Sequence, residues 1–225
     1  MEIKPIAYFR SPFSSKFGIP KQAGLVAELE GQIVFEPEFR NPDALRGMEG
    51  FDYLWLIWEF SANRHKAHSP VVRPLLGGNE KVGVFATRSP FRPNNIGLSS
   101  VKISHIEWET PHGPVIHVKG ADLMDKTPIF DIKPYVVYAD SHPGARSGFV
   151  DDRKWQKLDV EISEDVDRHL RLQGLNAEKI EILKEVLAQD PRPHYQKDPH
   201  KVYGMPYEGL DIHFTVCDHT LTVVK

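Results

Sequence analysis

The sequence predicts a mainly β protein whose first part is an antiparallel barrel or sandwich and whose last part is a small α+β unit. Short β-prone runs separated by turn residues fill the first two-thirds of the chain, and helical periodicity is weak before residue 160. After residue 138 the composition shifts, and turn formers give way to segments with helical spacing. Because parallel strands need long crossover connections, strands with few helices between them favour antiparallel pairing.

Length and composition indicate a folded globular protein. The 225 residues are 40% hydrophobic and 26% charged, with a net charge of -3, which excludes a disordered or collagen-like chain. The single cysteine, Cys217, excludes an internal disulfide and a multi-cysteine zinc site, and it predicts a reducing, cytoplasmic compartment. No signal-peptide pattern is visible, and the most apolar run, residues 53–58, is too short to span a bilayer. We therefore expect no membrane insertion.

The first part of the chain is expected to contain a series of short strands. Residues 25–35 predict a hairpin that turns at Glu30 and Gly31. Residues 53–60 are nearly all apolar, which predicts a central strand buried on both faces. Gly83, within a predicted strand, indicates a close approach to the backbone. The remaining strands are predicted at residues 3–9, 81–87, 101–108, 115–118 and 129–137, with one or two helical turns at residues 43–48.

Turn formers at residues 140–152 predict a linker between two domains, residues 1–150 and 151–225. In the second domain, Ser163 is expected to cap a helix that runs to Leu172, with Gly174 just beyond its end. Further elements are predicted as a strand at 158–162, a helix from about Asn176 that stops before Pro191, and a hairpin formed by residues 211–216 and 220–224.

Basic residues are concentrated in one part of the chain. Residues 61–106, here called the basic segment, contain seven lysines and arginines and only one acid, Glu80. Such a segment predicts an anion-binding face on an otherwise acidic protein. The alternative is a solvated surface whose charges pair with acids from elsewhere in the fold.

The loop of residues 86–99 is the densest polar motif. Arg88 and Arg92 lie beside two prolines, which stiffen the loop, and Asn94 adds an amide. A stiff loop bearing guanidinium groups is suited to hold carboxylates or phosphates, and Gly97 allows close approach to the backbone. The alternative is a well-anchored surface loop without a ligand.

Two further clusters of polar residues could either bind a ligand or stabilise the local backbone. Asp122 and Asp125 follow a strand, where they could accept hydrogen bonds from ribose hydroxyls or an amine, or could cap turns. Arg192 lies between two prolines, near Asp190 and Tyr195. This segment could be a rigid arm in which Arg192 contacts a phosphate and Tyr195 stacks, or it could simply end a helix. The eleven histidines contain no metal-binding pair at helical spacing, so we expect no metal. Phosphate-binding, dinucleotide-binding and nucleophile-elbow motifs are also missing from the sequence.

Taken together, these motifs resemble the TsaA-like (TrmO) family of tRNA adenosine-37 N6-methyltransferases. The resemblance rests on residues 6–13, 19–24, 83–94 with 96–98, 122–125, 131–135 and 189–195, and it covers nearly the whole chain. It implies a β-barrel that binds S-adenosylmethionine, and a homodimer. The implied substrate is N6-threonylcarbamoyladenosine beside the anticodon, chiefly in threonine tRNA, and the implied reaction is methylation of its N6 nitrogen.

The resemblance also implies a cofactor site. The residues that match its cofactor-binding positions are Pro20, Lys21, Gln22, Phe60, Ser61, Arg88, Leu98, Asp122, Leu123, Met124 and Asp125. Three positions depart from the family pattern. Ser61 replaces a usual His, Asn95 a usual Pro, and Lys126 a usual Gly.

The implied reaction places demands on the substrate site. The N6 nitrogen is ureido-like and a poor nucleophile, so a proton acceptor is expected to assist. Candidate acceptors are Asp131, Asp190 and Asp125, oriented by Tyr195 or Asn94. Arg92, Arg192 and Lys133 are the candidates for holding the substrate, with an arginine on the threonyl carboxylate.

The basic segment is expected to contact phosphates of the anticodon stem-loop. Two other functions remain open from the sequence: a non-catalytic S-adenosylmethionine-binding RNA adaptor, and a methyltransferase acting on a small molecule or a protein.

Overall fold

Most strands of the first part belong to one closed sheet. The structure, a computed structural model, describes residues 2–63, 69–74, 80–151, 156–192 and 198–224. Its strands there are β1 (Ala7–Arg10), β2 (Glu30–Phe35), β3 (Tyr53–Glu59), β4 (Val71–Val72), β5 (Val82–Gly83), β6 (Ile96–Glu107), β7 (Val115–Lys119) and β8 (Pro128–Pro134). Six of them close into a barrel in the order β1-β2-β7-β6-β3-β8, and β4 pairs with β5 as a separate ribbon. All of these pairs are antiparallel, and the mainly β prediction is confirmed.

Strand β3 shows why the sheet curves around a core. Its alternate residues Leu54, Leu56 and Trp58 are buried, whereas Tyr53 is exposed on the other face. Because successive side chains of a strand point to opposite faces, only one face of β3 lies in the barrel core. The prediction of a strand buried on both faces is therefore wrong. The outward-facing residues Tyr53 and Trp55 are aromatic, so the sequence shows no alternation of apolar and polar residues.

The second part of the chain is the predicted α+β unit. After the short helix α1 (Val137–Asp140), it comprises β9 (Asp159–Glu161), α2 (Glu164–Leu172), α3 (Ala177–Ala188), β10 (Tyr203–Tyr207), β11 (Leu210–Cys217) and β12 (Thr220–Val224). The sheet order is β10-β11-β12-β9, and only β9 pairs in parallel. Both predicted helices are confirmed. Ser163 Oγ accepts from Val166 N, and Asn176 Oδ1 accepts from Lys179 N at 2.8 Å.

Two hydrophobic cores form, and the second one draws on both ends of the chain. The barrel core includes Ile33, Leu56 and Ile116. The other core packs α2 and α3 against the C-terminal sheet, but it also contains Phe13, Val26 and Leu29 from the segment between β1 and β2. This early segment is thereby held against the C-terminal unit. The predicted division between residues 150 and 151 stays a prediction.

Three local expectations are wrong. Residues 25–29 form no strand, because Val26 and Leu29 are buried in the second core, and the expected turn at Gly31 lies inside β2. The expected strand at residues 81–87 is reduced to β5, followed by a 3-10 helix, Val84–Ala86. A Cβ added to Gly83 would meet nothing within 4 Å, so no close approach explains this glycine. β10 was not predicted, since its Gly204 and Pro206 resemble a turn composition.

Candidate functional site

A cavity of about 460 Å³ opens at the end of the barrel where β3 and β7 end and β6 and β8 begin. Its walls come from four stretches of chain: the early segment, the end of β3 with the following turn, the loop before β6, and the residues after β7. The predicted cofactor residues that line it are Pro20, Lys21, Gln22, Phe60, Ser61, Arg88, Leu98, Asp122 and Met124. Residues far apart in sequence are thus brought together in one concave site.

Arg88 joins two walls of the cavity. Its Nη1 donates to Gln22 Oε1 at 2.7 Å, which connects the loop before β6 to the early segment. The Arg88 charge also acts on Asp122 across the cavity. Arg88 therefore forms its direct hydrogen bond with Gln22, and it acts on the Asp122 carboxyl through its charge alone.

Arg92 stabilises its own loop. Its Nη1 donates to Thr87 O at 2.6 Å and to Val84 O at 3.2 Å, and its guanidinium lies 6.0 Å from the centre of the exposed Phe85 ring. Arg92 also lines the cavity. Nη1 of Arg92 is thus bonded to backbone carbonyls. Among the described residues none forms a hydrogen bond with Nε or Nη2, so these two nitrogens can bind a ligand.

Asp122 is the acid of the cavity. Ser99 Oγ donates to Asp122 Oδ1 at 2.6 Å, and Trp58 Nε1 donates to Ser99 Oγ at 3.0 Å. Burial raises the pKa of Asp122, and the Ser99 hydrogen bond and the Arg88 charge oppose that rise. The carboxyl is therefore desolvated but has a defined set of partners.

The loop after α3 carries a charge that acts on one side chain of the cavity wall. Asp190 is bound in a bidentate pair by Arg192, with Nε–Oδ1 at 2.8 Å and Nη2–Oδ2 at 3.0 Å. Burial lowers the pKa of Lys21, and the charge of Asp190 acts in the opposite direction. Asp190 thus lies close enough to a cavity-lining side chain to influence its charge, which links the C-terminal unit to the site.

Several predicted site residues lie elsewhere. Asp131 pairs in register with Ile57, on the outer face of the barrel, and its Oδ2 lies 2.9 Å from Lys133 Nζ; neither residue lines the cavity. Asn94 also lies outside its lining, and Leu123 is buried in the barrel core. Tyr195 falls outside the described residues.

Asp125 belongs to a different cleft. This cleft, of about 480 Å³, lies between the outer face of the barrel and the C-terminal unit, and Arg10, Asp125, Lys179 and Glu208 are among its lining residues. Asp125 Oδ1 accepts from Ser11 N at 3.2 Å, as a residue that anchors a turn does. Asp122 and Asp125, although three residues apart, therefore face separate sites.

Sequence reasoning missed the roles of Trp58 and Ser99. Trp58 ends the inward-facing series of β3, so strict alternation from Leu54 would have placed it at the mouth of the barrel. Gly97 was expected to admit a backbone contact, and the group that approaches it is the Trp58 ring, which a Cβ on Gly97 would overlap. No local signal marks Ser99, because its role depends on the pairing of β3 with β6.

Two kinds of feature are missing from the described residues. No group of three or more His, Cys, Asp or Glu side chains is placed to hold a metal ion within the described ranges. In the same part of the chain, no helix has the length and apolar character needed to cross a membrane.

Comparison with known proteins gives consistent matches over both parts of the chain. The family model for the tRNA-methyltransferase O N-terminal domain matches residues 8–141, and that for the TrmO C-terminal domain matches residues 155–225. The tRNA (adenine(37)-N6)-methyltransferase of Escherichia coli is 35% identical over 221 residues, covering 96% of this chain and 94% of the relative.

Two further similarities come from Pseudomonas aeruginosa. Its putative S-adenosylmethionine-dependent methyltransferase RcsF is 41% identical over 216 residues, which cover 94% of this chain and 91% of the relative. The crystal structure of TrmO from the same organism superposes with a TM-score of 0.80 at 34% identity, covering 99% of this chain and 96% of that chain.

Proposed function

The chain belongs to the TrmO family of tRNA methyltransferases, and from this premise we propose that it methylates the N6 nitrogen of N6-threonylcarbamoyladenosine at position 37 of tRNA, chiefly threonine tRNA, using S-adenosylmethionine. Methylation of adenine 37 in tRNA is the activity for which its relatives are named. The observation that carries the proposal is the cavity, in which the separate family motifs meet around Arg88 and Asp122.

The residues of the cavity fit S-adenosylmethionine. The volume, about 460 Å³, suits a ligand of that size, and Trp58 and Phe60 supply an aromatic wall with ring centres 4.2 Å apart. Asp122 would accept from ribose hydroxyls or the ammonium group, and Arg88 would hold the carboxylate of the methionine part. When bound, the cofactor supplies a methyl group on a positively charged sulfur.

The cavity has a charge balance that suits an anionic second substrate. Four basic side chains and two acidic ones line it, namely Lys16, Lys21, Arg88, Arg92, Glu59 and Asp122. The threonyl carboxylate and the neighbouring phosphates of tRNA are anions, which basic walls attract. We place the threonyl carboxylate near the uncommitted nitrogens of Arg92.

Asp190 is the proposed proton acceptor for the ureido-like nitrogen, through the carboxylate lone pairs that its ion pair with Arg192 leaves open. Of the three candidate carboxylates, Asp190 is the one whose charge reaches a cavity-lining side chain, Lys21. Asp131 lies on the outer face of the barrel, and Asp125 lies in the other cleft. In single-turnover assays, Asp190→Asn is therefore expected to slow methyl transfer by roughly 10²-fold or more, while Asp131→Asn leaves the rate unchanged.

The proposed function is tested by nucleoside mass spectrometry. The full chain is incubated with S-adenosylmethionine and either of two threonine tRNAs, one carrying N6-threonylcarbamoyladenosine at position 37 and one carrying adenosine. The expected result is a gain of one methyl group in the first tRNA only. Binding of S-adenosylmethionine without methylation of either tRNA would instead favour the adaptor function, and methylation of plain adenosine would contradict the substrate preference.

A further inference from the structure

Resting on the proposed function, we propose that Ser99, oriented by Trp58, is a positioning residue that holds Asp122 as a hydrogen-bond acceptor for the cofactor. Neither residue belongs to the motifs that match the family's cofactor positions. Ser99 is 3% exposed and lies beneath the cavity surface, whereas Trp58, 6% exposed, forms part of the cavity wall. Their hydrogen bonds connect strands β3 and β6 to Asp122, which lies three residues after the end of β7.

With Asp122 ionised, the chemistry of the three groups fixes the direction of the hydrogen bonds. An indole N–H can only donate, so Ser99 Oγ must accept from Trp58 Nε1 at 3.0 Å. The Ser99 hydroxyl has a single proton, which points to Asp122 Oδ1 at 2.6 Å. Asp122 Oδ1 therefore acts as an acceptor in this arrangement.

This direction determines what Asp122 offers to the cavity. With one acceptor position on Oδ1 taken by Ser99, the ionised carboxylate still has lone pairs for a ligand group that donates, such as a ribose hydroxyl or an ammonium. The hydrogen bond also fixes the rotation of the carboxylate plane. A short hydrogen bond to an ionised acceptor is among the stronger ones, so its loss should be measurable.

The support for Ser99 is rigid. Trp58 is opposite Gly97 in the β3–β6 register, and its ring occupies the space that a Cβ at Gly97 would fill. The Phe60 ring packs on Trp58 with centres 4.2 Å apart. The indole donor is thus held by packing on two sides, and it cannot readily turn away from Ser99.

Other groups act on the titration of Asp122, and they are unchanged by a substitution at Ser99. The Arg88 charge and the backbone N–H groups of Ala23 and Asp122 favour the ionised form, whereas burial disfavours it. The other charged side chains lining the cavity are Lys16, Lys21, Glu59 and Arg92. Since these remain in each variant, a change in the Asp122 titration reports the Ser99 hydrogen bond.

The test follows the Asp122 carboxyl by NMR during a pH titration of the ligand-free full chain. In Ser99→Ala the midpoint is expected to rise by about one pH unit, a tenfold change in the protonation equilibrium. Ser99→Thr, which keeps the hydroxyl, should restore the wild-type midpoint. Ser100→Ala is the matched control, because Ser100 lies on the same strand with its side chain on the other face.

A second readout measures the cofactor. By calorimetry, Ser99→Ala should bind S-adenosylmethionine about fivefold more weakly near the wild-type midpoint, and Ser99→Thr should bind it normally. Where Ser99→Ala does not fold, Ser99→Cys keeps a similar side-chain volume with only a weak hydrogen-bond donor. The Asp122 midpoint should then also lie above that of wild type. An Asp122 midpoint that is the same in folded Ser99→Ala and in wild type would overturn the proposal. If the wild type binds no S-adenosylmethionine, the proposed function fails, whereas the NMR result still decides the role of Ser99.

Discussion

At the scale of single residues, Asp122 is a carboxyl whose burial disfavours its charged form. Burial raises its pKa, although Ser99 and Arg88 partly compensate. A carboxyl whose pKa is higher in the folded protein than in the unfolded chain contributes stability below the unfolded pKa, about 3.9, and this contribution is lost as the pH rises through the folded pKa. The residue that is proposed to bind the cofactor is therefore unfavourable for stability at neutral pH.

We predict opposite effects of Asp122→Asn on stability and on binding. The neutral amide can still accept from Ser99, so the melting temperature should exceed that of wild type at about pH 8, and the excess should shrink toward about pH 4. Affinity for S-adenosylmethionine should fall about tenfold or more, because a charged acceptor is lost. Thermal unfolding across this pH range and calorimetry provide the measurements.

The exposed Asp52 provides the control for this substitution. Asp52→Asn should leave both the cofactor affinity and the pH dependence of melting close to wild type. An Asp122→Asn protein that loses stability relative to wild type as the pH rises would contradict a raised pKa of Asp122 in the folded protein.

At the scale of elements, the pairing of β3 with β6 builds the floor of the cavity. The register places Trp58 opposite Gly97 and Leu56 opposite Ser99. The side chain of Trp58 crosses over Gly97, and its indole nitrogen thereby reaches the hydroxyl of Ser99. A small residue at position 97 is thus a requirement of packing between two strands.

Gly97→Ala is expected to destabilise the protein by about 1–3 kcal/mol, because the added methyl group overlaps the buried Trp58 ring. Chemical denaturation measures this loss. Gly83→Ala is the matched strand control, since a Cβ there meets nothing within 4 Å. Equal denaturation midpoints for the two variants would contradict the packing argument.

At the scale of the whole molecule, the early segment holds the barrel and the C-terminal unit together. The carbonyl of Phe13 accepts from Asp125 N at 2.9 Å, and the carbonyl of Pro12 accepts from Glu208 N at 3.0 Å. The Phe13 ring is fully buried and packs edge-on against Tyr207, with ring centres 5.7 Å apart. The same segment continues to Lys21 and Gln22 in the cavity wall.

Phe13→Ala should therefore destabilise the C-terminal unit, by about 3–5 kcal/mol, although residue 13 precedes the second strand of the barrel. Hydrogen exchange is the measurement, and protection should fall at the amides of β11 and β12. If exchange increased in the barrel strands alone, the placement of Phe13 in the second core would be wrong.

Charge also acts at the scale of the whole molecule. Arg73 and Lys81 of the basic segment are exposed and adjoin the paired residues Val72 and Val82, which places them side by side next to the β4–β5 ribbon. Arg64 and Lys66, also in this segment, lie outside the described residues. The ribbon therefore presents two neighbouring cations on an acidic protein.

We predict that tRNA affinity weakens with salt, and that replacing both Arg73 and Lys81 by Ala lowers the slope of log affinity against log salt by about 1.5. Binding titrations at several salt concentrations measure the slope. Arg46→Ala, which removes an exposed cation paired with Asp43, should leave the slope unchanged. An affinity that is independent of salt would contradict phosphate contact by this segment.

The sequence by itself determined the elements whose signals are local. The helices of the C-terminal unit begin at Ser163 and Asn176 because a capping side chain acts within three residues of itself. Long motifs such as residues 83–94 likewise identified the family and most of the cavity lining. Only the tertiary structure decided which distant residues meet.

Phe13 joins the second core, Asp122 and Asp125 separate into two sites, and Trp58 reaches Asp122 through Ser99 across 41 and then 23 positions of sequence. Such contacts depend on strand register and on packing between elements, and neither is encoded in a short stretch of chain.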